Sequence, residues 1–558
     1  MFLEVIENLK ELIKKEIVLN TNIVLEKPKK GNYDLAIPLF AFSKELNISI
    51  NEVFEMFKLI LIKSEYVEKV EFVAGFLNLV LNRPLITRNF FERVLASNLA
   101  IGRKLSNGKI VVIDYSAPNI AKNFGIGHLR STVIGKALKN IYEREGYKVV
   151  SINHLGDWGT QFGKMIAAYK LWGSKKDLES VDNLQKLYVR FHAEMENDIS
   201  LEDKGRHEFK QLESGNKENI ELWEIFREIS LASFMSVYDI LDISFDSYNG
   251  EAFFNDKMDI VLELLKAKNV LKLDEGALVV RLDELDMPPA LIVRSDGATL
   301  YMTRDLAALL YRLKEYKFDK ILYVVGNEQK LHFNQLKAVS KKMGFDLDIE
   351  HVNFGLVLID GKKLSTRQGK SFNLKDLLDL SIDKAKILIE EKHPQTQDID
   401  IEKTAKAVGV GAVIFNDLKN ERHLNIDLNI DQVIKFEGQT GPYLQYCSVR
   451  ITSILKKQPF DCELINYELF KEDNYYNIVA HLLNYSPIIT KACETNSPNL
   501  IARYLLELAS LFNQFYASTK ILVDESTMLN TNLSLCYLTR TVINDGLNIL
   551  GITHLEKM

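Results

Sequence analysis

The stretch Lys109–Gly135, reading KIVVIDYSAPNIAKNFGIGHLRSTVIG, constrains the fold of this chain more than any other. Its apolar, β-branched run Ile110, Val111, Val112 and Ile113 reads as a buried strand of a parallel sheet. Pro118 and the polar residues around it end the strand and open a loop. From Gly127 the period becomes helical, with Leu129, Val133, Ile134, Leu138 and Ile141 recurring along the segment. Gly125 and Gly127 stand where the helix begins, and glycine there lets a ligand approach the backbone. Free N–H groups and the positive helix end make that point suited to phosphate. Lys122 and His128 flank it as further donors. Gly146 reads as the helix stop and Val149–Leu155 as the next strand, completing one βαβ unit. The dinucleotide fingerprint, Gly-x-Gly-x-x-Gly with an acid about 20 residues on, does not fit. Arg130 occupies the third glycine position, and the strand-to-glycine loop is too long. Gly-x-Gly before a helix is also a common tight turn, so other segments must decide.

With 558 residues the chain exceeds one hydrophobic core, and about two to four domains are expected. No apolar run approaches the roughly 18 residues of a membrane span. The opening residues carry Glu4 and Glu7 at helical spacing, unlike a signal peptide. The cysteines (Cys447, Cys462, Cys493, Cys536) form no Cys-x-x-Cys pair, so neither a zinc site nor a disulfide framework is indicated. Buried thiols in a reducing cytoplasm are the expectation. A net charge of −6 argues against indiscriminate nucleic-acid binding but leaves room for a local basic surface that takes one RNA.

Residues 1–105 read as a small α/β domain. Phe2, Leu3, Ile6, Leu9, Ile13 and Ile17 make one face of its opening helix, and Val70–Leu81 reads as strand around Gly75. Residues 106–400 hold the central α/β unit. Within them Asn153–Gly163, NHLGDWGTQFG, suits a ligand rim above the carboxyl edge of a sheet, with Asp157, Trp158 and Gln161. A plain glycine loop is the alternative, and His154 alone reads as a hydrogen-bonded structural histidine. Residues 164–285 are charged and helical, closing in short strands such as ALVVRL; they read as an insertion that carries no chemistry. In Asp296–Arg312, DGATLYMTRDLAALLYR, a turn at Asp296-Gly297 precedes a helix. Tyr301 and Asp305, four apart, meet on one side of it. A carboxylate beside a phenol suits a guanidinium, with its five donors in a fixed fork; Asp305 also reads as a capping or surface acid. Ile321–Val325 is a further strand, with Gln329 and His332 beyond its carboxyl end. Phe354–Leu374 then reads FGLVLIDGKKLSTRQGKSFNL, a cationic loop carrying Lys362, Lys363, Ser365, Thr366, Arg367 and Lys370. Such a loop can close over a triphosphate, or be a solvated basic turn. Residues 401–558 read as a helix bundle. Its aromatics (Tyr443, Tyr446, Phe512, Phe515, Tyr516) are mostly core, with some beside Arg450 and Lys456 able to stack on unpaired bases.

Together these segments resemble arginyl-tRNA synthetase, a class I aminoacyl-tRNA synthetase family, along essentially the whole chain. SAPNIAKNFGIGHLRSTVIG resembles the family's HIGH region, NHLGDWGTQFG its LGDWG-x-QFG segment, LYMTRD its arginine-pocket helix and KKLSTRQG its KMSK loop. FEGQTGPYLQYCSVRI and GITHLEKM are similar to its anticodon-binding bundle. The resemblance implies a Rossmann-type parallel-sheet catalytic domain with an inserted domain, a small α/β amino-terminal domain and an all-α carboxyl-terminal bundle. It implies arginine, ATP with Mg²⁺ and tRNA-Arg as partners, arginyl-adenylate as intermediate, a cytoplasmic location and a monomer. Carried over by position, Asp114 and Asn119 would bind the amino and carboxylate end of arginine, with His154 close by. Tyr301 and Asp305 would read the guanidinium, with Gln329 lining that pocket. His128 would stabilise the α-phosphate, with Gly125, Gly127, His332 and Ser365 around ATP. Lys363 would hold pyrophosphate oxygens, and Phe76, Asn78 and Tyr443 would contact tRNA. Two departures stand out: Gly125 replaces the first HIGH histidine and Thr366 the second KMSK lysine. Lys122, just upstream of HIGH, is the candidate substitute for the lysine. A class I enzyme for another amino acid and a silent tRNA-binding relative are the competing readings; the intact Asp114, Asn119, Tyr301, Asp305 and Gln329 speak against the second.

Overall fold

The computed structural model describes residues 2–28, 33–96, 101–295, 301–359, 362–363, 373–392, 399–459 and 461–558. It divides into two compact units, one of Lys104–Tyr446, Lys491–Arg503 and Gly546–Met558, the other of Met1–Arg103, Cys447–Thr490 and Tyr504–Asp545.

The first unit is built on a parallel sheet in the order Asp348–His351, Lys320–Tyr323, Ile110–Asp114, Lys148–Ile152. Val112 lies opposite both Ile321 and Val150. Val111, Val112 and Ile113 are wholly buried, as a central strand covered on both faces requires. One face packs Val112, Ile152 and Ile321 against Leu306 and Leu309 of the helix Tyr301–Tyr316 and Leu336 and Val339 of the helix Lys330–Lys342. The helix Leu129–Arg144 packs on the strands Ile110–Asp114 and Lys148–Ile152. It lies so close that a Cβ on Gly135 would stand 2.2 Å from the ring of buried Tyr115. The expected strand Val149–Leu155 ends sooner, at Ile152, because Asn153 turns its side chain to the loop after Asp114.

The insertion supplies the helices Val181–Met195, Ser200–Glu213 and Lys217–Leu241, then an antiparallel sheet of Leu271–Asp274, Ala277–Leu282 and Met287–Val293. The helix Ile401–Leu418 follows. The stretch beyond residue 400 is not wholly helical: Ile426–Asp427 pairs in parallel with the strand Val357–Ile359. A buried ion pair, Arg130 Nε to Asp417 Oδ2 at 3.0 Å, ties the helix Leu129–Arg144 to the helix Ile401–Leu418.

In the second unit the strands Leu35–Pro38, Phe76–Leu81 and Val67–Val73 form an antiparallel sheet. The run read as strand around Gly75 is a hairpin, turning through Ala74 (φ 52°) and Gly75 (φ 84°). The opening helix, Phe2–Glu16, buries Val5, Leu9 and Ile13, and leaves Leu3 exposed. The buried stripe is thus the i, i+4, i+8 row, rotated from the face expected. Phe512 and Phe515 are core, while Tyr516 is exposed with the Arg450 guanidinium 5.2 Å from its ring. Cys447, Cys493 and Cys536 are buried, and burial pushes each thiol up to about 12. Cys462 departs from the expectation of buried thiols and is exposed. None of the described helices is long and apolar enough to cross a membrane.

Candidate active site

The loop between Asp114 and His128 is held against its conformational preference. Ser116, Ala117 and Ala121 all have positive φ (74°, 46° and 60°), which costs each non-glycine residue free energy that neighbours must offset. Those neighbours come from afar. Ser116 N–H donates to Ser131 Oγ at 2.8 Å, and Ser116 Oγ lies 2.8 Å from Tyr238 Oη. Ala117 N–H donates to Asn153, whose amide donates to the same Tyr238 hydroxyl. Ala121 N–H donates to Ser230 Oγ at 2.9 Å. Asn123 is clasped from the helix Val181–Met195, its N–H on Gln185 (2.8 Å) and its amide on Asp182 (2.7 Å). Tyr238, Ser230, Gln185 and Asp182 all belong to the insertion, where the sequence offered no chemistry. Their contribution corrects that reading: the insertion forms a wall of the phosphate-shaped loop.

At the end of this loop His128 places Nδ1 3.3 Å from the Ser116 carbonyl. A carbonyl only accepts, so Nδ1 carries the proton and Nε2 is the nitrogen left for a ligand. Burial, and secondarily the charge of Lys122, lowers the imidazole pKa; the Ser116 bond opposes this. An empty site therefore holds neutral His128, which must take up a proton before Nε2 can donate to a phosphate. Lys122 is half-buried, and burial lowers its pKa as well. Gly127 is exposed, and a Cβ at either Gly125 or Gly127 would meet nothing within 4 Å. Neither glycine is demanded by packing in this state, and Gly125 has an ordinary extended backbone (φ −76°, ψ 159°).

The acids lie at the carboxyl edge of the sheet. Asp114 is already paired, 2.8 Å from the Arg312 guanidinium, which is only 2% exposed. Arg312 also lies 3.3 Å from His154 Nδ1 and faces the ring of Tyr323. Because a guanidinium only donates, His154 Nδ1 accepts; burial and then Arg312 lower its pKa. His154 is thus the hydrogen-bonded histidine the sequence suggested. Asp305 Oδ2 lies 2.6 Å from Nε2 of His332, the residue expected near the adenosine. Burial raises the Asp305 carboxyl, but the His332 bond, helped by the charge of Arg312, outweighs it and holds it below its ordinary value. Its Oδ1 has no hydrogen bond among the described residues. Glu251 faces the same acids. Desolvation, with smaller contributions from Asp305 and Asp157, pushes it up to about 7 despite the opposing charge of Arg304 at 3.3 Å. Tyr301 is 65% exposed at the first turn of its helix, Asn119 is exposed where the loop bridges to Gly156, and Gln329 is exposed at the end of the 3-10 turn Asn327–Gln329.

The LGDWG segment serves these groups without forming the expected rim. Asp157 is buried, accepting from Arg227 Nε (3.2 Å) and Ala252 N–H (2.8 Å), and so fixes the turn that carries Glu251. Trp158 packs edge-on between Phe209 and Trp223. Gly156 lets Asn119 approach, since a Cβ there would stand 2.2 Å from Asn119 Oδ1.

Lys363 lies on a short strand, Lys362–Lys363, antiparallel to Val357–Ile359. Its side chain, the whole of Ser365 and Thr366, and the turn at Asp296-Gly297 lie outside the described residues. Past the cationic loop, Leu374 N–H donates to the Phe124 carbonyl at 2.8 Å and Asn373 bridges to Gly125. Chain leaving that loop is thereby joined to the phosphate loop. Tyr443 is half-buried in the first turn of the helix Gly441–Leu455, its N–H on Thr440 Oγ1. In the second unit Phe76 is half-buried with Phe40 edge-on at 6.4 Å, and Asn78 is buried, its amide donating to the Phe76 carbonyl. Among the described residues no group of three His, Cys, Asp or Glu side chains gathers as a metal site.

Residues 91–429 match the family model "tRNA synthetases class I (R), catalytic domain", 3–81 the arginyl tRNA synthetase N terminal domain and 444–558 the DALR anticodon binding domain. Arginine–tRNA ligase of Exiguobacterium sibiricum is 46% identical over 96% of this chain and 95% of its own. Arginine–tRNA ligase 1 of Bacillus thuringiensis is 44% identical over 98% and 97%. In fold, Thermus thermophilus arginyl-tRNA synthetase superposes with a TM-score of 0.83 over 99% of both chains at 23% identity. With three domain models in order and near-full-length relatives at such identity, the chain belongs to the arginyl-tRNA synthetase family of class I tRNA synthetases.

Proposed function

We propose that this chain is an arginine–tRNA ligase, and that the observation carrying its amino-acid choice is the facing of two acids, Asp305 and Glu251, with Tyr301 one turn before Asp305 on the same helix. In the first step a carboxylate oxygen of arginine attacks the α-phosphorus of ATP, and the bond to pyrophosphate breaks. In the second a hydroxyl of the terminal adenosine of tRNA-Arg attacks the acyl carbon, and AMP leaves. Asp305 Oδ1 and Glu251 take the guanidinium, with Tyr301 and Gln329 at its rim. Asn119 takes the amino and carboxylate end. Asp114, neutralised by Arg312, orders this end with His154. His128, Lys122 and Lys363 counter the charge that builds on the α-phosphate and pyrophosphate, with Gly125, Gly127 and Ser365 around ATP. Mg²⁺ is proposed to arrive on the triphosphate, where it would neutralise phosphate charge; its preference for waters and substrate oxygens fits a site where no cage of protein ligands gathers among the described residues. Residues 106–400 carry the chemistry. Residues 1–105, through Phe76 on a backbone steadied by Asn78, and 401–558, through Tyr443, contact tRNA. A monomer in the cytoplasm completes the reading.

The test is arginine-dependent exchange of pyrophosphate into ATP, with and without tRNA. Exchange in either condition supports the reading, and exchange only with tRNA adds that the nucleic acid completes the site. No exchange in either, with tRNA still bound, overturns it in favour of a silent binder.

Glu251 adds a pH signature. With the free-site carboxyl titrating at about 7, it is mostly protonated at pH 6 and ionised at pH 8. A guanidinium selects the ionised form, so KM for arginine should fall roughly tenfold between those values, the ratio expected for a one-proton equilibrium centred there. Glu251→Gln should bind arginine more weakly and with a flat profile. A wild-type KM independent of pH would remove Glu251 from the pocket.

A further inference from the structure

The cation that opens the phosphate loop rests on an aromatic ring of the insertion. Lys122 Nζ lies 5.5 Å from the centroid of the Tyr188 ring, on the helix Val181–Met195. Among the described residues the Lys122 ammonium makes no ion pair or hydrogen bond. The ring is itself fixed, with His192 edge-on at 4.5 Å. The helix is fixed too: Ser180 caps its start, and Asp182 and Gln185 hold the neighbouring Asn123. Asn123 is therefore held to that helix through both its backbone and its side-chain amide. Beside it the space over Gly125 is open, since a Cβ there meets nothing within 4 Å.

We propose that Tyr188 is a positioning residue for adenylate formation, its ring face holding the Lys122 ammonium toward the triphosphate where Gly125 leaves no donor. A ring face suits this better than a carboxylate would. A carboxylate partner would cancel the positive charge that the transition state needs, whereas the quadrupole of a ring holds a cation and leaves its charge uncompensated. The arrangement also gives the insertion a part in the chemistry that its sequence does not disclose. The proposal rests on the adenylation reading above and adds to it a residue outside the motifs.

The experiment is pyrophosphate exchange by the full chain, with tRNA present, for the unaltered protein, Tyr188→Leu, Tyr188→Phe, Lys122→Ala and the double variant Lys122→Ala/Tyr188→Leu. Tyr188→Leu should lower kcat roughly three- to thirtyfold, the span of a part-desolvated cation–π contact, with KM for arginine unchanged. Tyr188→Phe keeps the ring and should recover most of that loss. In the Lys122→Ala background Tyr188→Leu should cost nothing more. An undiminished kcat in Tyr188→Leu, an equal fall with Lys122 already removed, or a Phe variant as impaired as Leu would each overturn the proposal. Absence of exchange in the unaltered protein would overturn the adenylation reading, and the proposal with it.

Discussion

Asp305→Ala should reduce arginine-dependent exchange at least roughly a thousandfold in kcat/KM, equivalent to about 4 kcal/mol of lost transition-state binding. The size follows from what the side chain has to meet. Truncating one partner of a desolvated, hydrogen-bonded charge pair costs about 2–5 kcal/mol, mostly because the other charge is left buried and unpaired. Asp305 is held ionised by the His332 bond and the charge of Arg312, while Oδ1 remains open for a fork of N–H donors. Asp305→Asn separates charge from shape: it keeps a carbonyl acceptor and should retain more activity than Ala, but far less than Asp. The residue is about a third exposed on its helix, so the fold should survive, with an unchanged thermal midpoint and unchanged ATP binding. A variant that charges tRNA at near-normal rate would show that the guanidinium is read elsewhere.

That Tyr301 and Asp305 share one helix was legible because it is local. Helical spacing puts residues four apart on one face, and a strand–loop–helix with glycines advertises itself within about thirty residues. Arg312 carried a fainter signal of the same kind. It stands seven residues from Asp305, two turns along the same helix and among Leu306, Leu309 and Leu313, where a charge needs a buried partner. Glu251 and the insertion residues carried none. Tyr238 meets Ser116 across 122 positions and Asp182 meets Asn123 across 59, and no periodicity encodes such pairings. The Asp157 reading erred for the same reason: an acid among glycines looks like a ligand until Arg227, 70 residues on, is seen to claim it. Patterning thus disclosed most elements but not all their ends, while the walls of the site were settled by tertiary contacts that offset strain at Ser116, Ala117 and Ala121.

Asp417→Ala should destabilise the unit containing the sheet by about 3–5 kcal/mol, the cost of leaving a buried charge without its partner. Arg130 and Asp417 are both essentially inaccessible, and the guanidinium has already given one donor to the Leu424 carbonyl at 2.6 Å. Its Nη2 is buried without an acceptor among the described residues, so nothing nearby can take over the charge. Replacing both partners by apolar residues of similar volume, Arg130→Met with Asp417→Leu, removes the desolvation cost together with the attraction. That double variant should recover most of the stability in urea unfolding. Stability and chemistry should then part. Leu424 sits on the segment whose neighbours bond to Gly355 and Leu356, just before the strand Val357–Ile359 that leads to Lys363. Without the Arg130 bond to Leu424 the doubly substituted chain should fold yet hold the strand Val357–Ile359, and with it Lys362–Lys363, less firmly. Its KM for ATP should rise while KM for arginine, which we assign to Asp305 and Glu251, stays where it was. Equal stability loss in the single and double variants would mean that the pair is held by packing alone. An unchanged KM for ATP would mean that the register of the Lys363 strand does not depend on Arg130.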